Sequence, residues 1–148
     1  MSLDTRALNI EAVTTVAGAT LPFVVHPPDA ILGSRLEVTV PAGAEALRVK
    51  YSTSPDASAL QWLSPEQTMG GAQPFLFSQC QAIHARSVLP CQDTPSIRQT
   101  YTASIEVPAA LRAVMAASSV GREPKGATAI ERFEMPQPIP PYLFAFAV

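Results

Sequence analysis

Apolar and polar residues alternate in short runs through the first third of the chain, with a spacing of two rather than that of a helix. Leu8 to Val16, Leu21 to Val25, Arg35 to Val40 and Leu47 to Tyr51 carry β-branched residues in this pattern, which suits strands with one face buried and the other wet. Gly, Pro and Asp separate the runs, so tight turns are expected between them. Tyr101 to Val107 repeats the alternation, Ile130 to Met135 resumes strand-like chemistry, and Tyr142 to Val148 reads as a buried strand. Pro108 to Ala117 reads as one or two helical turns. Another turn is expected after Ser64, because Ser64-Pro65-Glu66-Gln67 offers an N-cap hydroxyl, a proline at the first helical position and a Gln three residues after the cap. Gly70-Gly71 keeps it short. Fifteen prolines, mostly between the runs, exclude long helices. The pattern predicts an all-β fold with minor helix and no internal repeat.

Composition adds a neighbour to this picture. A chain of 148 residues supplies one core. Hydrophobic residues make up 47% and charged residues only 15%, against a typical charged share of about 25%, so some apolar surface is expected to lie against another domain. The final run stops without a turn, cap or polar tail, and the first strand is entered almost at once. The expectation is therefore a single partial domain over residues 1–148, truncated at both ends, whose open sheet edges favour self-association as a dimer. A net charge of −2 with scattered Lys and Arg argues against a nucleic-acid partner. No run reaches the ~18 apolar residues of a membrane span, and the start lacks the order of a secretory signal, so the expected location is cytoplasmic. Cys80 and Cys91 are too few for a disulfide framework and not spaced as a zinc ribbon, and are expected as reduced, small buried hydrophobes.

Candidate chemistry is concentrated from Ser58 to Pro95, SALQWLSPEQTMGGAQPFLFSQCQAIHARSVLPCQDTP, which holds the only Trp, both Cys and one of two His. It reads as a long, polar-punctuated connection between strands, where binding groups usually sit. Trp62 is expected to be a packing anchor, and Arg86 with Asp93 to form an ion pair that fixes the loop. His84 invites two functional readings, a metal ligand or the base of a pair with Cys80 four residues earlier. Against the first, His26 lies far away in sequence and no H-E-x-x-H is present, so no metal is expected in this chain. Against the second, an activated thiolate and an orienting third group are needed, for which only Asp93 offers itself. Gln79 and Gln81, two apart, would point to one side of an extended chain and offer two amides to one ligand. An amide carbonyl accepts from an ammonium group and its NH₂ donates to a carbonyl, as a site gripping a free amino terminus requires.

At these residues the chain resembles a family. SALQWLSPEQT, PFLFSQCQAIHAR and LPCQDTPS resemble the leukotriene A4 hydrolase and aminopeptidase B branch of the aminopeptidase N superfamily of zinc aminopeptidases. Weaker similarity runs from Leu3-Asp4-Thr5 to Ile139-Pro140-Pro141-Tyr142-Leu143. The resemblance implies a saddle-like β-sandwich, the N-terminal domain of a peptide hydrolase, packed against a thermolysin-like zinc domain with a helical domain beyond. It places contacts to the substrate's amino terminus and first side chain on Gln79, Gln81 and Ala82, with Arg86, Asp93 and Trp62 as structural residues nearby. Many members carry Glu where this chain has Gln81. The zinc-binding H-E-x-x-H with its downstream Glu, the Gly-x-Met-Glu-Asn strand and the catalytic Tyr are not in this chain, and Met69-Gly70-Gly71 is no substitute. The implied zinc, catalytic residues and peptide turnover therefore belong to a catalytic domain outside these residues, with the domain alone inactive. The alternative is a stand-alone β-sandwich binding or scaffold module.

Overall fold

The computed structural model describes residues 1–148. It contains twelve strands, three 3₁₀ turns and no α-helix. The strands are β1 (Ser2–Thr5), β2 (Asn9–Thr15), β3 (Phe23–Val25), β4 (Ser34–Val38), β5 (Leu47–Ser52), β6 (Leu60–Leu63), β7 (Phe75–Ser78), β8 (Gln99–Pro108), β9 (Val114–Met115), β10 (Ser118–Lys125), β11 (Thr128–Ile139) and β12 (Phe146–Ala147). They form four small sheets, ordered β1-β4-β3, β2-β5, β6-β7-β12-β9 and β10-β11-β8. Every pairing is antiparallel.

Alternation explains how the first two sheets pack. In β4, Leu36 and Val38 are buried while Arg35 and Glu37 face outward. With Val13 of β2 and Leu21 they form a core closed by Leu3, Ile10, Phe23, Val40, Leu47 and Val49. Each fully buried aliphatic side chain here contributes roughly 1.5–3 kcal/mol. A second cluster joins Val107 of β8, Phe133 of β11 and Ala113, with Met115 and Val148 against it. The third lies under the central segment, where Ala59, Cys80, Ala85, Val88 and Cys91 pack against Leu60, Leu89, Phe144 and Phe146.

Several expectations need correction. Pro108 to Ala117 is not helical beyond one turn, closed by Leu111 N donating to Pro108 O at 2.9 Å. Val114 and Met115 instead pair with β12, and burial of Ala113 overrides the local alanine preference. Tyr142 to Val148 is not a continuous strand: Pro141–Leu143 is a 3₁₀ turn and only Phe146–Ala147 is extended. The proline pair 140–141 presets that turn. The central segment is more ordered than a loop, since β6 and β7 are inside it. The turn after Ser64 forms as 3₁₀ over Pro65–Gln67, with Ser64 N donating to Gln67 Oε1 at 3.0 Å.

Two strands defeat the assumption that prolines lie between elements. β11 runs through Pro136 and Pro138, but its ladder to β8 is interrupted between Met135 and Ile139, where prolines remove donors. β10 carries Pro124 and is almost wholly exposed. It lies at the edge of its sheet, which is where a proline and a missing apolar alternation are tolerated.

Candidate functional site

The central segment folds on the β6–β7 ladder, which runs from Leu63 opposite Phe75 to Leu60 opposite Ser78. This register brings Ser58-Ala59 beside Gln79-Cys80, and Gln79 N donates to Ala59 O at 2.7 Å. The chain then reverses: His84 N donates to Cys80 O at 2.9 Å, and Gln81 N donates to Gln79 Oε1 at 2.6 Å. The Gln81–Ala82 peptide is cis. The extended chain expected to point both glutamines to one side is therefore replaced by a turn. Gln79 spends its carbonyl oxygen on the turn, which leaves its NH₂ free, while Gln81 keeps its whole carboxamide available. Gln79, Gln81 and Ala82 are all exposed, and Cys80 between them is buried.

Below the turn lies a closed polar network. Arg86 and Asp93 are only 4% and 3% exposed. Arg86 donates from Nε and from its backbone N to Asp93 Oδ2, each at 3.1 Å. Its Nη2 donates to Asp93 O at 2.9 Å and its Nη1 to Leu32 O at 2.6 Å. Asp4 Oδ2 accepts from Asp93 N at 2.9 Å and lies 3.7 Å from Arg86 Nη2. The ion pair thus ties β1, the loop before β4 and the central segment together. Leu32 is presented by a turn in which Asp29 Oδ1 accepts from Ile31 N and Leu32 N, at 2.8 and 2.7 Å. Those bonds, from Leu32 first, hold the Asp29 carboxyl below its ordinary value. Gly33 closes the turn at φ 73°, where a Cβ would meet Thr5 O at 2.3 Å, so only glycine fits. No buried side-chain N or O atom in the chain lacks a partner.

The remaining candidates sort against this frame. Cys80 and Cys91 are free and buried, as expected of small hydrophobes. Burial first, and then the Asp93 charge, pushes their thiols up to about 11 and about 12. His84 does not pair with Cys80. Its Nδ1 lies 2.8 Å from Ser58 Oγ and 3.2 Å from Arg6 Nη1, so a Cys–His dyad has neither the thiolate nor the geometry. Trp62 is not a buried anchor: it is 59% exposed, because it lies two residues beyond Leu60 on the edge strand β6, past the rim of the cluster that Leu60 joins. No group of three His, Cys, Asp or Glu side chains is placed to hold a metal ion.

The sequence reading missed a second buried carboxylate, Glu131, at 1% exposure. Its position alternates with Ala129 and Phe133 on the inward face of β11, and that period was the available signal. Arg112 Nε donates to its Oε1 at 2.7 Å, and Arg122 Nη1 donates to the same oxygen. Burial alone would raise its pKa, but the hydrogen bonds from Arg122 and Arg112 outweigh that and hold it below the ordinary carboxylate value. Arg112 also borders an open groove of about 540 Å³ lined by Leu63, Met69, Phe75 and Val114 among others. The lining of that groove is mostly apolar.

An antiparallel β assembly without α-helix, carrying an exposed glutamine turn over a buried arginine–aspartate pair, defines a class of β domain. Residues 1–143 match the peptidase M1 N-terminal domain, and the chain belongs to that family. It is similar to leukotriene A-4 hydrolase of Xenopus laevis, 42% identical over 99% of this chain and 25% of that protein. It is also similar to leucine aminopeptidase 2 of Candida glabrata, 41% identical over 99% of this chain and 22% of the relative. Among solved structures, yeast LTA4 hydrolase in complex with bestatin superposes with a TM-score of 0.86 at 39% identity, covering 99% of this chain and 22% of that one. An M1 zinc metallopeptidase from Deinococcus radiodurans shares the fold, with a TM-score of 0.76 at 22% identity over 99% of this chain and 33% of that one. The chain spans about a quarter of the length of the curated relatives it matches.

Proposed function

We propose that this chain is the single, substrate-anchoring N-terminal domain of a zinc aminopeptidase of the leukotriene A4 hydrolase type, acting with a catalytic domain outside these residues. The observation that carries the reading is the Gln79–Ala82 turn: a free Gln81 carboxamide and a free Gln79 NH₂ stand exposed on a buried, fully bonded base. Polar groups fixed on a rigid scaffold bind without a large ordering cost. Gln81 Oε1 accepts from the terminal ammonium of a peptide, and the amide NH₂ groups donate to its first carbonyl. Identity above 40% to proteins named leukotriene A-4 hydrolase and leucine aminopeptidase 2 supports the same reading. The residues present do not fit a zinc site, so the metal would be held by the catalytic domain. Two buried thiols accord with work in the reducing cytoplasm.

The test is Gln81→Ala in the full-length enzyme. A hydrogen bond to a charged group is worth about 1.5–3 kcal/mol, so kcat/KM for a peptide with a free amino terminus should fall roughly 10- to 150-fold. An amino-blocked peptide should lose less. Unchanged turnover of both peptides by a folded, zinc-loaded variant would remove Gln81 as the anchor. Alone, the chain is proposed to dimerise through open edges such as β6, which exposes Trp62; a strictly monomeric sedimentation profile at high concentration refutes this.

A further inference from the structure

We infer that His84, held by Ser58 and Arg6, is a positioning residue for the Gln81–Ala82 turn. The inference rests on the substrate-anchoring reading above and adds the residues that set the anchor's place. The turn has two feet, and both stand on Ser58-Ala59. At the first, Gln79 N donates to Ala59 O at 2.7 Å. At the second, Ser58 Oγ lies 2.8 Å from His84 Nδ1. The second foot is doubled inside the protein, because Ser87 Oγ donates to His84 O at 2.8 Å and accepts from Ala59 N at 3.0 Å.

Arg6 decides how the imidazole is used. Its guanidinium carries donors only, and Nη1 lies 3.2 Å from His84 Nδ1 and 3.4 Å from Ser58 Oγ. Nδ1 is therefore an acceptor, Ser58 O–H donates to it, and the ring proton sits on Nε2. Arg6 is itself fixed: Nη2 donates to Ile31 O, and its backbone N donates to Arg86 O at 2.8 Å. The imidazole thus locks the far end of the turn to the same base that holds its near end. Losing the lock lets Ala82 and Ile83 shift, while the backbone bonds of His84 to Cys80 and Ser87 and the buried pair beneath stay intact.

The experiment compares His84→Leu, His84→Asn and Ser58→Ala in the full-length enzyme, each alone and with Gln81→Ala, on free and amino-blocked peptides. Misplacing a substrate contact by about 1 Å can cost about 100-fold, so His84→Leu should lower kcat/KM for the free peptide roughly 10- to 100-fold, mainly through KM, with a smaller loss on the blocked one. His84→Asn, whose Oδ1 stands where Nδ1 stood, should restore most of it, and a merely space-filling histidine would not be rescued this way. Ser58→Ala removes only an exposed hydroxyl and should reproduce part of the loss, which keeps the test decisive if His84→Leu fails to fold. In the Gln81→Ala background either change should add little, because residues acting as one unit are not additive. Full additivity, or a His84→Leu effect equal on both peptides, overturns the inference. If Gln81→Ala alone lowers turnover while His84→Leu and Ser58→Ala do not, the anchor stands and this inference falls. If none of the three changes turnover, both fall.

Discussion

Asp93 and Glu131 are both carboxylates with almost no solvent exposure, and both are answered by arginine, yet their surroundings differ. Arg86 is buried with Asp93, and its donors are used by that carboxylate, by backbone oxygens and toward Asp4. Over Glu131 the cations reach outward: the Arg112 side chain is 69% exposed and that of Arg122 is 23% exposed. The first arrangement desolvates both partners, and the second desolvates mainly the anion. Removing an anion from the closed pair strands a buried cation, whereas the guanidinium groups of the open cluster can turn to water. The closed pair also holds three segments of chain together beneath the glutamine turn, while the open one joins strand β11 to β10 and the stretch before β9.

The comparison predicts an order of effects. Asp93→Ala should be the most damaging change, lowering stability by about 3–5 kcal/mol in urea unfolding. It should also release Cys80 and Cys91, whose thiols are protonated and buried in the native chain, to alkylation at pH 8. A variant as stable and as thiol-silent as the wild type would break the distinction between closed and open pairs. Gly33→Ala should follow at about 1–3 kcal/mol, because both its positive φ and the contact with Thr5 O forbid a side chain. Thermal unfolding of the variant checks this, and no loss would show that the turn presenting Leu32 yields easily.

Glu131→Gln should lower the melting temperature less than Asp93→Ala, and its effect should depend on pH. The folded carboxyl titrates below its ordinary value of 4.5. Its stabilisation is therefore fully present above that value and is lost as pH falls through the lower, folded one. The stability gap between wild type and Glu131→Gln should stay constant from pH 7 to about 5 and close below it. A gap that does not narrow at all as the pH falls below about 4.5 would contradict the charge assignment. Arg112→Ala should be the mildest, within about 1 kcal/mol, since an exposed guanidinium gains little from its ion pair. A large loss there would mean that the open cluster behaves as a closed one.

Strands with one wet face were legible, and β2, β4, β5 and β8 lie where the alternation of Val13, Leu36, Val49 and Tyr101 placed them. The edge strand β10 was not, because a strand exposed on both faces carries no apolar period. The short strands of the central segment were hidden by the polar residues that made it look like a loop. The Arg86–Asp93 pair was legible as two opposite charges in one segment, but its third and fourth partners, Asp4 and Leu32, lie far away in sequence.

By itself the sequence determined the β class, through a period of two and through prolines that exclude helix, and the family, through the dense signature from Ser58 to Pro95. Only the tertiary structure decided what each polar group there is free to do. Gln79 and Gln81 are alike in sequence, yet the reversal at Cys80 ties the oxygen of one to the backbone of the turn and leaves the other amide open. His84 and Cys80 have helical spacing, but the chain there follows a turn, and the imidazole finds Ser58 instead. The physical reason is that period and propensity act between neighbours along the chain, whereas a hydrogen-bonding group takes whichever partner the fold brings within about 3 Å, from any distance in sequence.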